Sequence, residues 1–384
     1  MHTLETLLAR SLAPLAILVV LGARAPLHPQ VETPVAGEAA PAWQRVERRL
    51  AVMGTWLRIS LEAPTRAGGL QTSERVVRAL EVAEARLSTW RTDSELAQLG
   101  ATPVGERTAL SPLLRRELEA CWLLQAETQG AFDPALAPLV RAWSLRSGGA
   151  RPTQQQLDEA RAASGIACWS LDEDGLQRLH GSAGLEEGAF GKGAGLDAAL
   201  AAIESDDWRA LSIDLGGQLL ESRHAQSITR RIADPRDRDR AVLALRIDAG
   251  SLATTGDSER GLVIDGKKYS HVLDPRTGVP APRRGSVTVW ARDALTADCL
   301  STACFVMDPA AALAFADAHE GIEVVLLQHG AHGIEAHASA GLAGLLEPLV
   351  PELTLTVRKR TGTDSDATNA PPTPPSPIGD SNES

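Results

Sequence analysis

Three short segments carry the side chains able to do chemistry. The first, Tyr269-Ser270-His271-Val272-Leu273-Asp274-Pro275-Arg276-Thr277-Gly278, sets a histidine beside an Asp-Pro-Arg-Thr-Gly run. Asp, Pro and Gly favour turns, so His271 is expected on a loop, where reactive groups are commonly placed. Its imidazole can take a proton near neutral pH, as a general base must. The second segment is Ala297-Asp298-Cys299-Leu300-Ser301-Thr302. It is expected to open a helix after a strand at 286–291, with Asp298 and Thr302, four apart, on one face. A carboxylate and a hydroxyl are hard oxygen donors suited to Mg²⁺, with water and a ligand phosphate completing an octahedron. The third is Glu186-Glu187-Gly188-Ala189-Phe190-Gly191-Lys192-Gly193, followed by Asp197. Its glycines let backbone approach a ligand, and a helix beginning near 191 offers free N–H groups to an anion. Lys192 can reach a phosphate or a ligand carbonyl. The spacing is not that of a Walker loop, and the trailing Ser/Thr is missing.

Each segment taken singly also has an ordinary structural explanation: a loop histidine, an aspartate cap, a glycine-rich turn before a surface helix. The same holds for two further stretches that read as pocket walls, Gly250 to Arg260 and Gly130-Ala131-Phe132-Asp133-Pro134. Met53-Gly54-Thr55 is read as part of the first strand, where glycine weakens pairing and marks close approach of another group.

These segments need elements to hold them. Alternation predicts a strand over 52–61. Val76, Leu80, Ala83 and Leu87 form one stripe of a helix over 73–87. Ser111-Pro112 is a cap followed by an N1 proline, and that helix is expected to run to Gly130. Thr153 to Gln156 is a capping box. Further strands are expected at 211–215, 242–247, 286–291, 322–327 and 352–357, and a helix from Asp308-Pro309 to Gly321. Strands and helices do not alternate strictly, so the fold class is α+β, with two lobes, rather than a doubly wound sheet.

The 384 residues, 43% hydrophobic and 23% charged, fit a globular protein with a sizeable core and about two domains. A net charge of −11 argues against non-specific nucleic-acid binding. A phosphate-bearing ligand must therefore be held by a local device: a metal, a helix N-terminus or a single lysine. Arg10 precedes the apolar run Leu12 to Leu21, and Ala23-Arg24-Ala25 follows. Residues 1–25 thus read as a secretory signal peptide or a retained N-terminal anchor, and the chain as exported, periplasmic or membrane-anchored facing the periplasm. No cysteine follows the run, so a lipoprotein anchor is not expected. Residues 26–42 read as a linker, 43–358 as the folded body and 359–384 as a disordered tail. Cys121, Cys168, Cys299 and Cys304 match neither a zinc pattern nor a disulfide scaffold and read as buried thiols.

The order of the motifs says more than any one of them. Met-Gly-Thr at 53–55, Ser88-x-Trp90 with Ser94-Glu95-Leu96, Gly-x-Phe-Asp-Pro at 130–134, Gly-Lys-Gly with Asp197, Gly216-Gly217, Thr-Gly-Asp-x-Glu-Arg at 255–260, Ser-His-x-x-Asp-Pro-x-Thr-Gly at 270–278 and Ala-Asp-x-x-x-Thr at 297–302 occur in series. The series resembles the ApbE family, the FAD:protein FMN transferases, over about residues 51–327.

The resemblance implies a two-lobed α+β fold, mixed sheets flanked by helices, with the active site in the cleft between lobes. It implies Mg²⁺-dependent transfer of the FMN moiety of FAD onto a Thr or Ser hydroxyl of an acceptor protein, with release of AMP. Such an acceptor would be a subunit of a membrane redox complex. By the same resemblance Asp298 and Thr302 hold the metal with a backbone carbonyl, that of Ala189. His271 activates the acceptor hydroxyl. Met53, Trp90, Ala131, Phe132, Asp133, Glu186, Lys192 and Leu273 contact FAD. The chain departs from the pattern at several positions. Glu186 stands where the family has Asp, Ala135 for Thr, Gly191 for Ala, Gly100 for Asn and Thr255 for Ser. Two other functions use the same motifs: an FAD pyrophosphatase in which water replaces the hydroxyl, and a non-catalytic exported flavin-binding protein.

Overall fold

The structure, a computed structural model, describes residues 42–256 and 262–359. The expected signal segment, nearly all of the linker, the tail beyond Lys359 and the Asp257 to Arg260 part of one pocket wall lie outside these residues.

The chain opens with β1 (Gln44–Val52) and β2 (Thr55–Ala63), then α1 (Arg66–Leu87), α2 (Glu95–Ala101), β3 (Arg107–Thr108), α3 (Pro112–Glu127), α4 (Ala137–Ala142) and α5 (Gln154–Ala162). There follow β4 (Trp169–Asp172), β5 (Gly175–Arg178), α6 (Gly191–Ala202), β6 (Arg209–Leu215), β7 (Gln218–Ser222), β8 (Ile228–Asp234), β9 (Asp237–Ile247) and β10 (Gly250–Gly256). The last part holds β11 (Leu262–Ile264), β12 (Lys267–Tyr269), β13 (Ser286–Ala291), α7 (Ala294–Val306), α8 (Pro309–Ala318), β14 (Ile322–Gly330), β15 (Gly333–Ala338), β16 (Leu346–Pro348) and β17 (Leu353–Val357). Among the described residues, nine strands form one sheet in the order β1-β2-β6-β7-β10-β13-β14-β15-β17. Its β15–β17 pairing is parallel. Smaller sheets, β16-β9-β8, β3-β5-β4 and β11-β12, complete an α+β architecture.

The expected strand 52–61 is corrected to a turn and the second arm of a hairpin. Val52 pairs with Thr55, and Met53 and Gly54 form the two-residue loop with φ of 50° and 66°. Both positive φ values are what a tight hairpin turn requires. Helix α1 starts at Arg66, earlier than its apolar stripe indicated, because the Thr65 side chain accepts from the Gly68 N–H and caps it. The caps at Ser111 and Asp308 and the capping box at Thr153 are present. The stretch 250–256, expected to be a pocket wall, is a central strand.

The large sheet has a core on each face. Along β14, Val324 and Leu326 enter a core with α3, α7 and α8, while Val325 and Leu327 face the β8-β9-β16 layer. This is the two-residue period of a strand covered on both sides. A separate core joins α1 and α6 to β1, β2 and β6 through Leu57, Ile59, Leu61, Leu80, Leu196 and Ile213. Each such fully buried side chain contributes about 2 kcal/mol. Helices α6 and α7 lie on the seam between the two helical cores. Ala194 and Leu295 belong to the first, and Leu196, Ala199 and Ala294 to the second. Helix α7 is buried nearly all round, so Cys299 and Cys304 are both in the interior despite facing different ways. All four cysteines are free and buried. Among the described residues no helix is long and apolar enough to cross a membrane.

Candidate active site

Helix α6 begins without a side-chain cap from its own chain segment, yet its first N–H groups need acceptors. Asp298 of α7 supplies one. Its Oδ2 accepts from the Gly193 N–H at 3.0 Å, and its Oδ1 accepts from Lys192 Nζ at 2.8 Å. The residue is only 3% exposed, and a carboxylate removed from water is tolerable only when paired in this way. Gly193 is obligatory here: a Cβ would fall on the Ala294 carbonyl.

Thr302 lies one turn beyond Asp298, half-buried on the same helix. Between them Ser301 Oγ donates to the Asp298 carbonyl at 3.0 Å and pairs with Thr255 Oγ1 at 2.8 Å. The Thr255 departure therefore keeps the hydroxyl that ties β10 to α7. Ala189 ends a single 3₁₀ turn just before α6. The Gly193 N–H, which would cap its carbonyl in a longer helix, is given to Asp298 instead. The donor set is one buried carboxylate, one hydroxyl and one peptide oxygen near the α6 N-terminus. Those hard oxygens fit Mg²⁺, which typically takes one or two carboxylates and fills the remaining positions with water and phosphate. The ammonium of Lys192 beside Asp298 shows that the spot already favours positive charge. Among the described residues no group of three His, Cys, Asp or Glu gathers to hold a metal, at this site or at another.

Around Trp90 and Glu186 a second cluster forms. Arg146 Nη2 donates to both Glu186 carboxylate oxygens at 2.7 Å, and its guanidinium stacks 4.6 Å from the Trp90 ring centroid. Arg146 also bonds Thr89, which in turn bonds Glu187. Trp90 is otherwise open, at 69% exposure. Burial, and then the neighbouring Glu187 charge, push the Glu186 carboxyl above its usual range, against the pull of Arg146. Sequence reasoning missed Arg146: it lies in a short 3₁₀ turn after α4, without periodicity, in a chain where arginine is abundant.

Several residues expected to contact FAD have side chains engaged within the protein. Ala131 and Phe132 are 0% and 1% exposed and belong to the core, so only their backbone can face a ligand. Asp133 spends its carboxylate internally, accepting from the Ala135 N–H at 2.8 Å and the Ile166 N–H at 3.1 Å. Burial raises its pKa. Leu273 packs with Leu139, Trp143 and Tyr269 in a separate cluster and bridges to Pro280 through its backbone. Met53, in the hairpin turn, donates its N–H to Glu84 at 3.1 Å and lies against α6 beside Gly195. The backbone N–H of Glu186 donates to the Pro134 carbonyl at 2.8 Å, which brings the Asp133 turn to the start of the Gly-Lys-Gly segment. His271 is half-buried between buried Ser270 and Val272. Val272 joins the core that holds Phe132, Phe190, Cys299 and Leu300. One core therefore seats all three chemistry-bearing segments.

A model of the ApbE family matches residues 53–326. The chain is 31% identical over 296 residues to an FAD:protein FMN transferase of Salmonella typhimurium, covering 72% of this chain and 82% of that protein. It is 29% identical over 323 residues to one of Vibrio cholerae, covering 81% and 96%. The solved flavin transferase ApbE of Vibrio cholerae superposes with a TM-score of 0.69 at 26% identity, covering 79% of this chain and all of that one. The ApbE protein of Thermotoga maritima superposes with a TM-score of 0.70 at 25% identity, covering 79% and 99%. With the ordered motifs, the α6–α7 carboxylate site and these matches all pointing the same way, the chain belongs to the ApbE family.

Proposed function

We propose that this protein is an FAD:protein FMN transferase that uses Mg²⁺ and releases AMP. The observation that carries the reading is Asp298, a buried carboxylate held by Lys192 and Gly193 where two helices meet, within a chain that matches the family over residues 53–326. Magnesium held by Asp298, Thr302 and the Ala189 carbonyl supplies positive charge to the FAD diphosphate. Lys192 adds a second cation at the same place. Trp90 offers an open ring face for a flat group. The acceptor hydroxyl oxygen bonds to the FMN phosphorus as the bond to the AMP phosphate breaks, and His271 takes the hydroxyl proton. With no covalent intermediate to stabilise, positioning and charge carry the rate.

The test is to incubate the purified protein with FAD, Mg²⁺ and a flavin-acceptor domain, and to weigh the acceptor. Wild type adds FMN covalently, whereas Asp298→Ala and His271→Ala lower the rate at least a hundredfold. Free FMN and AMP formed without acceptor, faster than transfer, would make the protein a pyrophosphatase. Intact FAD bound in the presence of Mg²⁺ and several acceptors would make it a carrier. The apolar N-terminal run supports a location outside the cytoplasm, and the family resemblance supports an acceptor that is a subunit of a membrane redox complex. A fusion of residues 1–41 to a reporter active only after export checks this, and an inactive reporter refutes it.

A further inference from the structure

Helix α7 has its own N-cap, yet that cap serves only part of its N-terminus. Asp293 Oδ1 accepts from the Thr296 N–H at 2.8 Å, and its carbonyl accepts from the Ala297 N–H at 3.3 Å. The two remaining donors, the N–H groups of Ala294 and Leu295, go to a residue almost a hundred positions earlier. Asp197 of α6 accepts the first at Oδ1, 2.8 Å, and the second at Oδ2, 2.9 Å. Asp298 of α7 meanwhile caps Gly193 of α6. Each helix thus caps the other with a carboxylate.

The brace is stiff because nothing in it is free to slide. The Ala294 carbonyl accepts from Gln218 Nε2 at 2.8 Å, and the same carbonyl abuts Gly193. Ala294 is fully buried. With its N–H on Asp197, its C=O on Gln218 and its flank on Gly193, the first residue of α7 is fixed in every direction. Asp298 follows one turn later on a rigid rod, so its carboxylate position relative to Lys192 and the Ala189 carbonyl is set by that seating.

Resting on the metal-dependent reading above, we propose that Asp197 is a positioning residue for the metal site. It seats the N-terminus of α7 and thereby aims Asp298. Partners that orient a ligand without touching the metal commonly change affinity 10–100-fold when removed. A role in folding alone would lower stability and leave the metal affinity of the folded protein unchanged.

The experiment titrates the full chain with Mn²⁺, a calorimetrically and spectroscopically tractable substitute, comparing wild type, Asp197→Asn, Asp197→Glu and Asp298→Ala. Folding is checked by circular dichroism at the temperature of titration. The expected result is Mn²⁺ binding weakened about tenfold or more in folded Asp197→Asn, and partly recovered in Asp197→Glu, which keeps two acceptor oxygens. In the transfer assay, Asp197→Asn needs correspondingly more Mg²⁺ but approaches the wild-type rate at saturation. Folded variants that bind Mn²⁺ like wild type overturn the proposal and leave the proposed reaction standing. Failure of both variants to fold assigns Asp197 to the scaffold and also overturns it. A wild type that binds no Mn²⁺, matching Asp298→Ala, overturns the metal reading itself.

Discussion

Arg146 holds apart what would otherwise repel. Its guanidinium neutralises Glu186 and Glu187 and covers one face of Trp90. Without it, the two carboxylates would repel each other uncompensated, and the indole would lose its fixed orientation. Arg146→Ala should raise the KM for FAD about tenfold, equivalent to ~1.4 kcal/mol, with a smaller change in kcat. A fall in kcat at unchanged KM would place its action elsewhere. Asp197 makes a prediction of a different kind. Burial lifts its pKa from 3.8 to about 6, helped by the charges of Asp293 and Glu117 and opposed by the two N–H groups it accepts. The native state therefore binds the proton more tightly than the unfolded chain, and stability falls as pH rises through roughly 4 to 6. Denaturation curves should show this fall in wild type and lose it in Asp197→Asn. Equal slopes would contradict it. At this scale the sequence made legible the residues with distinctive chemistry, such as Lys192 and Asp298. It hid those whose meaning is a partner: the Asp133 carboxylate accepts from two backbone N–H groups far apart in sequence, and Arg146 looked like one arginine among many.

At the scale of elements, the α6–α7 crossing depends on the absence of a side chain. Gly193→Ala would drive a methyl group into the Ala294 carbonyl and cost ~2 kcal/mol or more, along with metal affinity. Gly100, also a departure from the family pattern, is the contrast. It has open space around it near the end of α2 and no positive φ, so Gly100→Ala should gain ~0.5 kcal/mol. Thermal melts of the two variants, moving in opposite directions, check the pair. Element positions were readable wherever a cap or a stripe was present, as at Ser111, Thr153 and Asp308. The first hairpin was not, because alternation continues across Met53 and because methionine is not among the residues expected at φ above zero. Strand β10 was missed since Gly, Ser, Ala and Thr imitate a loop. They are small because the strand lies beneath α7.

For the whole molecule, the shared helices matter more than the division into lobes. Since α6 and α7 belong to both helical cores, neither core can come apart without exposing the other. Heat should therefore unfold residues 42–359 in one transition, with calorimetric and van't Hoff enthalpies in agreement. Two resolved peaks would show independent lobes. The α+β class followed from the irregular order of strands and helices. The nine-stranded sheet did not, because partners such as β2 and β6 or β10 and β13 are joined only through long intervening stretches.

The interior sulfurs give this protein a built-in reporter. Burial pushes the Cys304 thiol up to about 12 and raises Cys168 and Cys299 as well, and thiolate is the species that reacts. A native molecule should thus resist alkylating dyes at neutral pH, while an opened one offers four targets. The rate of labelling then counts excursions from the native state directly, with no engineered probe, and ligands that tighten the α6–α7 seam should slow Cys299 first.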